Sequence, residues 1–153
     1  MIIDWTIKHY NELSKDEFHD LIQLRISVFV VEQNCPYQEL DGKDEDSFHL
    51  IAKNENGILV ATARILPKGL SYPDDVAIGR VVIASNFRGQ HLGHSLMNEC
   101  KKFIRQTYGQ ISIRLSAQKH LEKYYASHQF VSTGKEYLED DIPHVEMLFL
   151  PLN

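Results

Sequence analysis

Apolar residues near the start of the chain fall at every second position, Trp5 and Ile7 with His9 in phase, as in a half-buried first strand. The period then lengthens. Ser14-Lys-Asp-Glu17 has the spacing of a capping box, and Phe18, Leu21, Ile22, Arg25, Val28 and Phe29 follow at three- and four-residue intervals. This predicts a helix with one largely apolar face packed on a sheet. Phe48 to Lys53 and Ile58 to Leu66 flank Asn54-Glu-Asn-Gly57, whose Asn-Gly pair supplies the positive φ angles of a tight hairpin. Val76 to Ile83 reads as the next strand, and residues 91 to 107 as a central helix burying Leu92, Leu96, Cys100, Phe103 and Ile104. Ile111 to Leu115 is a further strand, and Leu121, Tyr124 and Tyr125 mark a short helix to about Ser127. Strands near Phe130 to Tyr137 and Val145 to Leu150 close an antiparallel ending. The order is that of an α/β fold without linkers, low complexity or repeats.

Composition narrows the setting. The 153 residues, 43% of them apolar, suit one domain spanning 1–153 with a real core. Sixteen basic against 21 acidic side chains give a net charge of −5, with no basic run able to track a phosphate backbone, so nucleic acid is not an expected partner. No apolar run approaches the roughly 18 residues of a membrane span, and the N-terminus lacks a basic region followed by an apolar core. A soluble, cytoplasmic protein without a membrane partner is expected. Cys35 and Cys100 have neither metal-ligand spacing nor a disulfide framework and are read as reduced thiols. The acids at 41, 44, 45 and 46 lack the ligand order of a calcium loop and the eight histidines are scattered, so no metal is expected.

Ile78 to Met97 runs strand, tight loop, helix start. Such an end leaves backbone N–H groups without partners at the positive pole of the helix, a site that takes phosphate. Within it, Arg88-x-x-His91-x-Gly93 resembles the Arg/Gln-x-x-Gly-x-Gly/Ala pyrophosphate loop of the GCN5-related N-acetyltransferases, with His91 where that family has glycine. An ordinary strand-to-helix turn is the other reading of the loop alone. Gln118 to Phe130 resembles the same family's Asn-x-x-Ala-x-x-Phe-Tyr-x-x-x-Gly-Phe signature, with Gln118 for Asn, Tyr124 for Phe and Gln129 for Gly. Longer stretches resemble one branch, the ElaA-like acetyltransferases: Leu24-Arg25-x-x-Val28-Phe-Val-Val-Glu32-Gln33-x-Cys35-Pro36-Tyr37-x-Glu39-x-Asp41, Ile78-Gly-Arg-Val-Val82, Ala117-Gln118-x-His120-Leu121 and Glu139-Asp-Asp-Ile-Pro143-His144. The resemblance covers residues 20 to 149.

That resemblance implies a mixed, mostly antiparallel sheet of six to seven strands, splayed between the fourth and fifth, with about four helices. It implies acetyl-coenzyme A as cosubstrate, its pantetheine lying along the backbone of Val81, Val82 and Ile83 and its pyrophosphate on Arg88, Gly89, Gln90, His91, Leu92, Gly93, His94 and Ser95. An unpaired N–H in that stretch would face the thioester carbonyl and stabilise the charge developing on its oxygen. These aliphatic side chains also read simply as core. Tyr125 is the implied acid, protonating the leaving sulfur, while Tyr124 packs. Gln118 either binds the cofactor's amide arm or caps the short helix.

The base is harder to place. Many members carry a glutamate on the fourth strand, but Val76 to Ile83 holds no acid and Ala77 stands close to that position. Glu32, Glu39 and Asp41 on the loop after the first helix, His49, and His144 before the last strand are the substitutes, as base or acceptor pocket. Glu39, Asp41, Asp44, Glu45 and Asp46 would favour a cationic acceptor, or serve solubility alone. Cys35 is not expected as a nucleophile, since an amine attacks a thioester directly. Two functions remain. One is an N-acetyltransferase acting on a small-molecule or peptide primary amine; the other is an acyl-coenzyme A binding, regulatory module without turnover. A homodimer through sheet edges or late strands is in keeping with the family.

Overall fold

In the computed structural model, residues 1–151 are described, and seven strands form one sheet in the order β1-β2-β3-β4-β5-β7-β6. The strands are β1 (Ile3–His9), β2 (Phe48–Asn54), β3 (Leu59–Leu66), β4 (Val76–Ile83), β5 (Ile113–Gln118), β6 (Val131–Glu139) and β7 (Ile142–Phe149). All neighbouring pairs run antiparallel except β4 and β5. Three α-helices are present where about four were expected: α1 (Lys15–Ile26), α2 (Leu92–Tyr108) and α3 (Glu122–Ala126). A π-helical turn, Ser27–Glu32, continues α1 and carries the chain toward Asn34, whose φ of 50° ends it ahead of Pro36.

Local chemistry explains these boundaries. Ser14 Oγ accepts from the Glu17 N–H at 3.0 Å while the Glu17 carboxylate accepts from the Ser14 N–H at 2.8 Å, so the expected capping box starts α1. Gly109, at φ 78°, stops α2 in a conformation closed to most side chains. The last hairpin is longer than its apolar pattern suggested. Glu139 pairs with Ile142, and Asp140-Asp141 turn the chain at φ 51° and 63°, as a two-residue hairpin requires.

Alternation along β3 divides the two faces of the sheet. Ala61, Ala63 and Ile65 join Leu96, Met97, Cys100 and Ile104 of α2 in the apolar core, while Arg64 between them points to the opposite face, toward α1. The apolar reading of α1 fails at Arg25, which is only 1% exposed. Its guanidinium holds Glu39 at 2.8 Å and Asp44 at 2.7 Å. Arg64 holds Asp41 at 2.8 Å and Asp44 at 3.1 Å, and Arg80 of β4 holds Glu39 at 3.0 Å. Three guanidiniums thus answer three carboxylates under α1. This corrects the expectation that the acidic loop attracts a cationic substrate, because Glu39, Asp41 and Asp44 are already neutralised. His49, also buried, directs Nε2 to the Asp44 carbonyl at 3.0 Å, and burial holds it below its ordinary pKa.

Burial alone would raise Asp41 and Asp44. Hydrogen bonds and charge from Arg64 and Arg25 outweigh it and hold both below the ordinary aspartate range. A carboxylate depressed in the fold contributes stability above its unfolded pKa and loses it as pH falls through the folded value. Stability therefore declines below about pH 4, measurable by urea unfolding across that range. Glu39→Gln removes one partner from a buried guanidinium and is expected to cost about 3 kcal/mol at neutral pH in the same measurement.

Candidate functional site

The sheet opens at its centre. β4 pairs with β5 only at Val76–Ile113 and Ala77–Arg114, leaving Ile78 to Ile83 without a β5 partner on that side. On the other side, Thr62 pairs with Val82 and Arg64 with Gly79, so Arg80 and Val81 together oppose Ala63 alone. This is a β-bulge, and Arg80 takes it at φ 50°, a left-handed backbone that costs a non-glycine residue energy. The Arg80 side chain is tied down twice at Glu39, through Nε to a carboxylate oxygen and through Nη2 to the carbonyl at 2.9 Å. Sequence reasoning passed over Arg80, although the Gly79 preceding it inside a strand pattern signals a bulge.

A cavity of about 100 Å³ occupies the opening. Of the expected residues it gathers Val81, Gln118, Tyr125 and His144, and it adds Gln33, Cys35, Tyr37, Arg80, Glu139 and Asp140. Tyr125, 7% exposed, finds no hydrogen-bond partner for its hydroxyl among the described residues. Burial pushes its pKa, and that of Tyr124, above the ordinary phenol value, so Tyr125 keeps its proton at neutral pH. Tyr124 packs as expected, its ring against Gly93, where an added Cβ would meet it at 3.4 Å, and its hydroxyl donating to the Gly93 carbonyl at 2.6 Å. Gln118 is the last residue of β5 and makes no cap. It exchanges side-chain amide hydrogen bonds with Gln33 at 3.2 and 3.4 Å.

His144 Nδ1 lies 2.7 Å from the Ile142 carbonyl, an acceptor only, so Nδ1 carries the proton and Nε2 is the basic atom of the neutral ring. That Nε2 lies 3.4 Å from Glu139 Oε2, and the ring stacks on Tyr137. The other two bases stand elsewhere. Glu39, 3% exposed, has two guanidiniums on its carboxylate and no place in the cavity wall. Glu32 is exposed and accepts from Arg88 Nη1 at 2.8 Å. Both are ion-pair acceptors, Glu39 in a buried network and Glu32 at the surface, and neither lines the cavity.

Beyond β4 the chain turns through Ser85–Phe87 and an exposed loop, Arg88 to His91, into α2. Val82 is buried and Ile83 half-buried, and the Ile83 carbonyl accepts from Arg88 Nε at 3.2 Å. Gly89 sits at φ 80° and His91 at φ 61°, ψ 18°. A left-handed backbone is thus what position 91 demands, which explains glycine there in relatives and the admission of histidine here. Leu92 is buried in the core, while Gln90, His94 and Ser95 are exposed. His94 Nδ1 and His128 Nε2 approach to 2.9 Å, one ring donating to the other. The free N–H groups opening α2 and the unpaired β4 backbone fit the pyrophosphate and the amide arm of a coenzyme A.

Residues 11–150 match the family profile described as Acetyltransferase (GNAT) domain. Protein ElaA of Escherichia coli K12 is 41% identical over 149 residues, 95% of each chain. Its crystal structure superposes with a TM-score of 0.89 over 97% of this chain and 99% of that one. An acyl-CoA N-acyltransferase from Pseudomonas aeruginosa is 45% identical, with a TM-score of 0.91 over 97% and 99% of the two chains. An aminoglycoside 6'-N-acetyltransferase complexed with coenzyme A, 14% identical, shares the fold at a TM-score of 0.72 over 97% and 98%. With a bulged fourth strand, a sheet opened beside it and relatives matched over nearly their whole length, the chain belongs to the GNAT acetyltransferase family, in its ElaA-like branch.

Proposed function

We propose that this protein transfers an acetyl group from acetyl-coenzyme A directly to a primary amine. The observation that carries the reading is Tyr125, a buried side chain whose hydroxyl has no partner among the described residues, in the wall of a cavity that opens where β4 leaves β5. Acetyl-coenzyme A brings an activated thioester to that opening. The backbone of Val81 to Ile83 holds the amide arm and offers an N–H to the carbonyl oxygen as charge builds there. Residues 88 to 95 take the pyrophosphate, with Gln118 released from Gln33 to meet the amide arm. His144 Nε2, 3.4 Å from Glu139 Oε2, accepts the proton of the attacking amine. The C–N bond forms, the C–S bond breaks, and Tyr125 donates its proton to the departing sulfur, regaining one from solvent. The complex of a distant structural neighbour with coenzyme A supports the choice of cosubstrate.

Thiol release from acetyl-coenzyme A in the presence of primary amines tests the proposal. Acetyl-coenzyme A binding without amine-dependent release would instead identify a binding module, the reading favoured by the absence of an acid on β4. Tyr125→Phe is expected to lower kcat about 100-fold with little change in acetyl-coenzyme A binding. Unchanged turnover would remove Tyr125 from the reaction. A phenol raised in the fold contributes its full stability below the unfolded pKa and loses it as pH rises toward the folded value. Unfolding free energy accordingly declines above about pH 10, and Tyr125→Phe shallows that decline.

A further inference from the structure

The hairpin turn between β6 and β7 adds two carboxylates to the cavity wall that the acyl-transfer steps leave only partly used. Glu139 lies beside His144, and Asp140, next in the turn, offers its carbonyl to Cys35 Sγ at 3.5 Å, which docks the turn on the loop after α1. Arg80 is the cationic side chain of this wall, and its guanidinium is already committed to Glu39 and Asp41. At one side the rim of the cavity therefore carries two exposed carboxylates that no guanidinium or ammonium of the described residues pairs. At the other is Tyr125, a side chain more than nine-tenths buried whose hydroxyl has no hydrogen-bond partner among the described residues, in the cavity wall.

We infer that the acceptor is an unbranched aliphatic diamine or polyamine, one amine reacting while a second, still protonated, rests against Asp140. Resting on the transfer reading above, this assignment names its substrate class. The opening, about 100 Å³ and shared with the acyl end of the cosubstrate, suits the end of a slender chain. The reacting end loses its first proton to solvent and enters as the neutral amine, giving a second to His144 Nε2 as the C–N bond forms. Glu139 then faces the imidazolium, whereas Asp140 remains unanswered unless the acceptor carries another cation. A carboxylate on the acceptor would meet like charge instead, which disfavours free amino acids.

Three acceptors of equal chain length test this: the four-carbon α,ω-diamine, the four-carbon monoamine and the four-carbon ω-amino acid, each followed by thiol release from acetyl-coenzyme A. The diamine is expected to exceed the monoamine in kcat/KM by about fivefold, as one partly exposed ion pair allows, with the amino acid slower than both. Asp140→Asn should bring diamine and monoamine to within about twofold, and added salt should narrow the gap in the unaltered protein. Asparagine tolerates the left-handed backbone of position 140, so the turn survives the exchange. Asp141→Asn, in the same turn but outside the cavity wall, should leave the ratio as it is. Equal rates for diamine and monoamine, or a ratio that Asp140→Asn does not move, overturn the assignment while acyl transfer stands. Thiol release with none of the amines overturns the transfer reading and this assignment with it.

Discussion

The ion pair between Arg80 and Glu39 is the contact on which the rest of the site depends. A residue with a Cβ does not hold a left-handed backbone in mid-strand for nothing, and Arg80 does so because its side chain is anchored beneath α1. The anchor is itself buried and braced by Arg25, so the bulge cannot relax without leaving charge unpaired away from water. From that bulge follow the outward swing of β4, its short pairing with β5 and the cavity between them. The strongest electrostatics of the molecule thus lies one layer behind the chemistry, holding a backbone in place.

This arrangement separates two demands that one set of residues would meet poorly. The site needs polar groups that are free to engage a ligand, such as the Tyr125 hydroxyl and His144 Nε2, whereas the fold needs buried charges satisfied. Glu39, Asp41 and Asp44 belong wholly to the second group. Glu139 and Asp140, on a two-residue turn at the rim, belong to the first. On the proposed reading the fourth strand needs no acid of its own, since the hairpin brings carboxylate and imidazole to the opening from the opposite side.

Periodicity carried most of the architecture. The capping box at Ser14, the Asn-Gly hairpin and the strand Val76–Ile83 stand where the residue pattern put them, because each depends on chemistry within a few positions. The far ends of β5 and β6 and the start of β7 lie two or three residues beyond the apolar pattern, since pairing in the sheet extends strands past the apolar core that marks them. Among site residues, Tyr125, His144, Gln118 and Val81 come together at the cavity. Glu32 and Glu39 do not, because their partners Arg88 and Arg80 lie 56 and 41 positions away and no local pattern announces a pair at that separation. A row of acids reads as one patch in sequence. In three dimensions its members are sorted by which guanidinium each can reach.

The short pairing of β4 with β5 also bears on solubility. Unpaired N–H and C=O groups along a strand form a template on which another chain can build, and outer strands must be short, charged or covered to avoid it. Here such a stretch lies in the middle of the sheet, inside a cleft bounded by the β6–β7 turn on one side and the loop after α1 on the other. A second polypeptide strand would have to pass both to reach it. The backbone can stay open to a thin, flexible ligand without becoming a seam for aggregation.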